Sequence, residues 1–100
     1  MGFGVSDAKA MIRVLLDGDA PIGDRDDAAM DLEWCEGDNV IRALAEVASN
    51  EREDPGLIES AAESLGGILA RAGLPYGEIL EGLTAQGRAR VTAILEARAK

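Results

Sequence analysis

Apolar residues recur every three or four positions along almost the whole chain, which is the spacing that one face of an α-helix requires. Short runs of Gly, Pro, Asn, Asp and Ser, which favour turns, divide the pattern into six segments. No segment alternates apolar and polar residues for long enough to predict a β-strand. The predicted helices run from Ser6 to Asp17, Asp24 or Arg25 to about Cys35, Asp38 or Asn39 to Ala48, Pro55 to Ala72, Pro75 to Leu83, and Thr84 to beyond Leu95.

The helix from Pro55 to Ala72 has the clearest signals at its ends. Asp54 is a favourable N-cap, proline is tolerated in the first turn, and Gly73 is a favourable C-terminal stop. Its apolar face is also the longest in the chain, so we expect it to lie at the centre. A chain of 100 residues is the length of one ordinary domain. The sequence therefore predicts a single all-α domain over residues 1–100, built from about six helices as stacked antiparallel hairpins.

Two adjacent glycines, Gly66 and Gly67, lie in the middle of this central helix. Each costs about 1 kcal/mol relative to alanine in a helix interior. Close approach of another helix backbone would offset that cost, and the small residues Ala61 and Ala62 one turn earlier suit such a contact. The alternative is a hinge in the helix at the glycine pair.

The stretch 54–68 carries a further pattern, in which Asp-Pro leads into Ala-Ala-Glu-Ser-Leu-Gly-Gly-Ile. This stretch resembles the first helix of the short HEAT-like repeats of the phycobilin-lyase type. The resemblance implies a right-handed α-α superhelix, in which neighbouring repeats complete each other's cores. The helices at 38–50 and 76–83 would then be the second helices of the flanking repeats. Proteins of this kind mostly bind other macromolecules along an extended face.

Acidic residues are concentrated in the first half of the chain. The net charge is −9, and the segment 17–38 alone carries −8, with nine acidic residues against Arg25. Phosphate backbones and anionic membrane surfaces would repel this charge, so neither nucleic acid nor a membrane is an expected partner. A basic protein is the partner that the charge favours. The alternative is a solvated acidic face that serves only solubility.

The candidate partner-binding residues are the acidic side chains of this segment and its tryptophan. They are Asp17, Asp19, Asp24, Asp26, Asp27, Asp31, Glu33, Trp34 and Glu36. Trp34 is the only tryptophan, and we consider it a candidate anchor because aromatic residues rimmed by polar groups are enriched at interface hot spots. The alternative for Trp34 is a core position near a helix end.

Several kinds of chemistry are disfavoured by the residue inventory. The chain has no histidine, which removes the commonest general base, and its single cysteine, Cys35, leaves the usual zinc ligand sets incomplete. An EF-hand loop starting at Asp17 fails because Pro21 and Ile22 occupy its fifth and sixth positions. The alternative is a calcium site in which oxygen ligands of the same loop are arranged irregularly. We therefore expect neither catalysis nor a cofactor or metal.

Two functional hypotheses follow. The first is a non-catalytic inhibitor, because small acidic HEAT-like proteins resemble bacterial immunity proteins that neutralise a basic toxin or enzyme. The second is an accessory scaffold or a self-associating subunit, a homo-oligomer in which the acidic segment merely faces solvent. The start of the chain lacks the pattern of a signal peptide, and no apolar run is long enough for a membrane span, so the expected location is the cytoplasm.

Overall fold

The computed structural model describes residues 5–73 and 75–98, and within these ranges the chain is helical with no β-strand. The predicted all-α class is confirmed. A short 3-10 turn, Leu32–Trp34, follows the second helix. The helices are α1 (Val5–Leu16), α2 (Ile22–Asp31), α3 (Asp38–Ala48), α4 (Pro55–Ala72), α5 (Gly77–Gly82) and α6 (Ala85–Arg98).

Helix α4 is the centre of the domain, as its long apolar face predicted. It packs against α2, α3, α6 and the 3-10 turn, while α1 packs against α2 and α3. Helix α5 packs on α6. The pairs α1–α2, α3–α4 and α5–α6 are therefore neighbours, and α2, α4 and α6 also form one row, as expected for stacked hairpins. The right-handed superhelix of a HEAT-like repeat stays a prediction.

The core consists of aliphatic side chains of small and medium size, mainly alanine, leucine and valine. Every helix except α5 contributes buried residues to it. Leu15, Leu44 and Leu65 are fully shielded from solvent and join α1, α3 and α4 in one cluster. Two apolar residues at helical spacing with the buried ones, Leu16 and Ala72, are exposed. Each is the last residue of its helix, where the neighbouring helices no longer cover the chain.

The ends of α4 form as predicted. The backbone N–H of Leu57 donates to Oδ2 of Asp54 at 3.1 Å, and Gly73 has a φ of +64°, in the left-handed region that ends many helices. In α3 the N-cap is Gly37, with a φ of +118°, rather than Asp38 or Asn39. Helix α1 begins at Val5 and already includes the predicted cap residue, Ser6.

Helix α2 differs most from its prediction, because it begins at Ile22 and ends at Asp31. Its first turn forms early, since the backbone N–H of Arg25 donates to the carbonyl oxygen of Pro21 at 3.1 Å. After Asp31 the chain tightens into the 3-10 turn and becomes extended at Cys35. This change of helix type decides which side chains of the segment reach the core.

The N-terminus of α6 is docked on the C-terminus of α3. The backbone N–H of Thr84 donates to the carbonyl oxygen of Ala48 at 3.0 Å, and the Thr84 hydroxyl accepts from the backbone N–H of Gly87 at 2.9 Å. A Cβ at Gly87 would lie 2.7 Å from the Ala48 oxygen. Gly87, which the apolar spacing does not single out, thus permits a close approach between two helix backbones.

The glycine pair in α4 does mark close packing. A Cβ added at Gly66 would lie 2.9 Å from Cβ of Ile94 in α6, and one at Gly67 would lie 2.5 Å from Oε2 of Glu33. The neighbouring atoms belong to side chains rather than to the helix backbone that we predicted. The absence of side chains at Gly66 and Gly67 still leaves the space that Ile94 and Glu33 occupy, so the packing interpretation holds.

Replacing Gly66 with leucine is expected to lower the free energy of unfolding by more than about 1 kcal/mol, because the new side chain must displace the branched carbon of Ile94. Gly23→Leu is the matched control, since an added Cβ there meets nothing within 4 Å. The control should stay within about 0.5 kcal/mol of the wild type. Urea unfolding measures both variants, and an unchanged midpoint for Gly66→Leu would contradict the packing.

Candidate functional site

The acidic segment 17–38 spans the loop after α1, helix α2, the 3-10 turn and the loop before α3. Its side chains do not form one cluster. Asp17 and Asp19 lie in the loop, where the backbone N–H of Asp19 donates to Oδ1 of Asp17 at 2.9 Å. This bond is typical of an aspartate that shapes a turn. The Asp17 carboxylate therefore has a local structural role in the loop.

Three exposed aspartates form a row on the outer side of α2. Asp24, Asp27 and Asp31 follow the helical spacing of three and four, and with Met11 and Val14 of α1 they line a shallow depression of about 310 Å³. Within residues 5–73 and 75–98, none of the three forms an ion pair with a basic side chain. We call this row the aspartate ridge.

Two acids of the segment face α4 and are engaged inside the protein. The hydroxyl of Ser60 donates to Oδ1 of Asp26. Oε2 of Glu33 accepts from Nη1 of Arg71 at 3.1 Å and lies 3.7 Å from Nη2 of Arg98. Both carboxylates are engaged and the charge of Glu33 is partly compensated by the two arginines, so these two predicted site residues are less available to a partner than the aspartate ridge.

Arg25, the one basic residue of the segment, is buried, with 6% of its surface exposed. Its Nε donates to the carbonyl oxygen of Leu15 at 3.0 Å, and its two terminal nitrogens donate to both oxygens of Glu53 at 2.9 and 2.8 Å. The bond from Arg25 holds the pKa of Glu53 below its ordinary value. Arg25 thus compensates a carboxylate outside the segment, and every charged side chain that stays exposed in the segment is acidic.

Trp34 lies at the surface, with 59% of its area exposed, and Met30 nearby is 54% exposed. The alternative of a core position for Trp34 is therefore wrong. The 3-10 turn explains the outcome, because it directs Leu32 and Cys35 into the core and leaves Trp34 outside. The guanidinium carbon of Arg71 lies 5.0 Å from the centroid of the indole ring, within the range of a cation–π contact.

A groove of about 250 Å³ runs between the segment and α4. We call it the Trp34 groove, and it is lined by Met30, Asp31, Glu33, Trp34, Ser60, Glu63 and Ser64. Asp31 belongs to both the groove and the aspartate ridge. The ridge and the two exposed apolar side chains therefore form one continuous surface, which the linear sequence did not reveal.

Cys35 and Glu36, which follow the 3-10 turn, differ in exposure. Cys35 is buried, and burial raises the pKa of its thiol, with smaller contributions from the charges of Asp7 and Asp31. The thiol is therefore protonated at neutral pH, which opposes a nucleophilic role. Glu36 is exposed and lines, with Arg71, a separate depression of about 390 Å³.

No group of three or more acidic or cysteine side chains within residues 5–73 and 75–98 is placed to hold a metal ion. Among the helices of the same ranges, none is both long and apolar enough to cross a membrane. Neither result changes the choice of the aspartate ridge and the Trp34 groove as the candidate site.

Comparison with known proteins gives no match, whether to a protein-family model, to a curated protein or to a solved structure. The resemblance of 54–68 to a HEAT-like repeat therefore stays a prediction that rests on the motif itself. The surface built by α2 and the 3-10 turn, with its exposed aspartates and its exposed tryptophan, is therefore the feature that indicates a function.

Proposed function

We propose that this protein is a non-catalytic binding protein whose partner is a basic protein, docked on α2 and the 3-10 turn. One observation carries the proposal: two large exposed apolar side chains, Met30 and Trp34, lie beside a ridge of three aspartates that form no ion pair within the described part of the chain. Tryptophan and methionine are enriched at protein interfaces. A rim of a single charge sign selects a partner of the opposite sign.

The physical role of the aspartate ridge is to attract the partner before contact. Charges arranged on one face raise the rate of encounter with an oppositely charged protein, and salt screens this effect. Trp34 and Met30 would then supply the apolar contact that slows dissociation. An immunity-type inhibitor that neutralises a basic toxin or enzyme is the form of this function that the HEAT-like resemblance favours.

A self-associating subunit is the competing proposal, in which the same face meets a second copy. A second copy would bring the same aspartate ridge to the interface, and like charges placed together oppose association. The net charge of −9 adds to this repulsion. A basic partner therefore fits the surface better than another copy of the chain.

Neutralising the aspartate ridge is expected to lower the association rate by about tenfold or more, because the ridge supplies the steering charge. The variant changes Asp24, Asp27 and Asp31 to asparagine, and the partner is the basic protein retained by the wild type from its source cells at low salt. Stopped-flow mixing measures the rate, which should fall steeply as salt rises while dissociation changes little.

The matched control removes the same charge elsewhere. Glu78, Glu81 and Glu96 are exposed on α5 and α6, and their change to glutamine should leave the association rate close to that of the wild type. Equal sensitivity to both triple variants would assign the effect to net charge rather than to the ridge. If wild type and ridge variant retain the same proteins equally well, the proposed function is wrong.

A further inference from the structure

We infer that the Trp34 groove takes a partner segment in which one apolar side chain is flanked by arginine or lysine. The inference rests on the proposed function and specifies the chemistry of the segment that the same surface binds. The groove measures about 250 Å³, below the range of roughly 300 to 1,000 Å³ of most small-molecule sites. It is suited to a side chain of a partner rather than to a free metabolite.

The floor of the groove favours an apolar occupant. Ser60 and Ser64 both line it, yet the hydroxyl of Ser60 donates to Asp26 and that of Ser64 donates to the carbonyl oxygen of Ala29 at 2.7 Å. Both hydroxyl protons are therefore engaged within the protein. A polar ligand would find no free hydroxyl donor on this floor, whereas an apolar side chain needs none.

Trp34 is held in place before any partner arrives. The guanidinium of Arg71 stacks over the indole ring and also donates to both the carboxylate and the backbone carbonyl of Glu33. Gly67 leaves the space that the Glu33 carboxylate occupies. A side chain that is already ordered loses little conformational entropy on binding, so Trp34 is suited to be an anchor and Arg71 is its positioning residue.

Carboxylates at the rim select positive charge around the apolar side chain. Asp31 lines the groove and continues into Asp27 of the aspartate ridge, while Glu63 on the opposite wall is half-exposed although Arg90 lies within 3.2 Å of it. An arginine or lysine on each side of the apolar residue would meet one of these carboxylates. A second copy of this chain has a net charge of −9, so its surface as a whole does not complement these carboxylates.

The test uses the fluorescence of Trp34, the only tryptophan, as a direct report on the groove. The probe is a peptide with one leucine flanked by two arginines on each side, compared with peptides in which alanine replaces leucine or glutamates replace the arginines. The leucine peptide should shift the emission to shorter wavelength and saturate. The alanine peptide should bind about tenfold more weakly, and the glutamate peptide should not bind.

Met30→Ala should abolish the difference in affinity between the leucine and alanine peptides. Ile22→Ala is the control, at an exposed apolar position outside the groove, and should preserve that difference. Both residues are at least half exposed, so both variants should fold. The inference is overturned if the wild type binds the two arginine peptides equally, if it binds neither, or if Met30→Ala retains the discrimination. Self-association that is lost in Met30→Ala, seen by sedimentation, would assign the groove to a second copy instead.

The two proposals fail separately in these experiments. The leucine and alanine peptides could bind equally, with binding that still weakens as salt rises and when the aspartate ridge is neutralised. In that case only the groove inference is wrong. A partner retained equally by the wild type and the ridge variant removes the proposed function, whatever the peptides do.

Discussion

Arg25→Ala is expected to lower the free energy of unfolding by about 3 kcal/mol, because it breaks a buried ion pair by removing one partner. The change leaves the Glu53 carboxylate and the Leu15 carbonyl oxygen without their donors. It also removes the hydrogen bonds by which this one side chain of α2 is joined to α1 and to the connection before α4. Chemical denaturation followed by circular dichroism measures the effect.

Arg52→Ala is the matched control, since Arg52 is exposed, lies next to Glu53 and carries the same charge. We expect a change within about 0.5 kcal/mol, as for most surface positions. If both variants lose the same stability, net charge rather than the buried pair is responsible. The comparison therefore separates the specific contact from the general electrostatics of an acidic protein.

The same pair gives stability a defined dependence on pH. The pKa of Glu53 is lowered in the folded protein, so its contribution is present above its pKa in the unfolded chain and is lost as the pH falls through the folded value. The stability difference between wild type and Glu53→Gln should be full near pH 7 and shrink below about pH 4. A difference that is constant over this range would show that the ionised form has no special role.

Trp34→Ala is expected to weaken binding of the basic partner by about thirtyfold, or about 2 kcal/mol, because a pre-positioned and exposed tryptophan next to charged groups has the features of a hot spot. Stability should fall by about 1 kcal/mol at most, the value of a cation–π contact at an exposed site. Calorimetric titration with the retained partner and thermal unfolding of the free protein together measure this separation.

Tyr76→Ala controls for the loss of an exposed aromatic ring, since Tyr76 lies outside the Trp34 groove. It should leave the affinity for the partner unchanged. A stability loss of about 3 to 5 kcal/mol in Trp34→Ala, with affinity retained, would instead place Trp34 in the core in solution. An equal loss of affinity in both variants would point to a general aromatic contribution.

The ends of the helices could be predicted from the sequence to different degrees, because only some of them depend on contacts within the helix itself. Asp54, Pro55 and Gly73 bound α4 through contacts with their own helix, so the residue types alone predict the result. The bounds of α2 were not predictable in this way. Its early start and its change to a 3-10 turn depend on how Leu32 and Cys35 reach a core made by other helices.

The candidate site shows the same division. The accumulation of acids over 17–38 is a property of the linear chain, and the preference for a basic partner follows from it. Which of those acids are available is a property of the packing, since Glu33 is bound by Arg71 from α4, far along the chain. Periodicity cannot report such contacts because it describes one helix at a time.

The sequence by itself determined the all-α class, the central place of α4 and the sign of the charge, because each depends on residue type and on spacing within one helix. Only the tertiary structure decided that Arg25 is buried against Glu53 and that Trp34 is exposed beside Arg71. Both outcomes depend on pairs of side chains more than twenty-five positions apart, and folding brings such pairs together through a core to which every helix but α5 contributes.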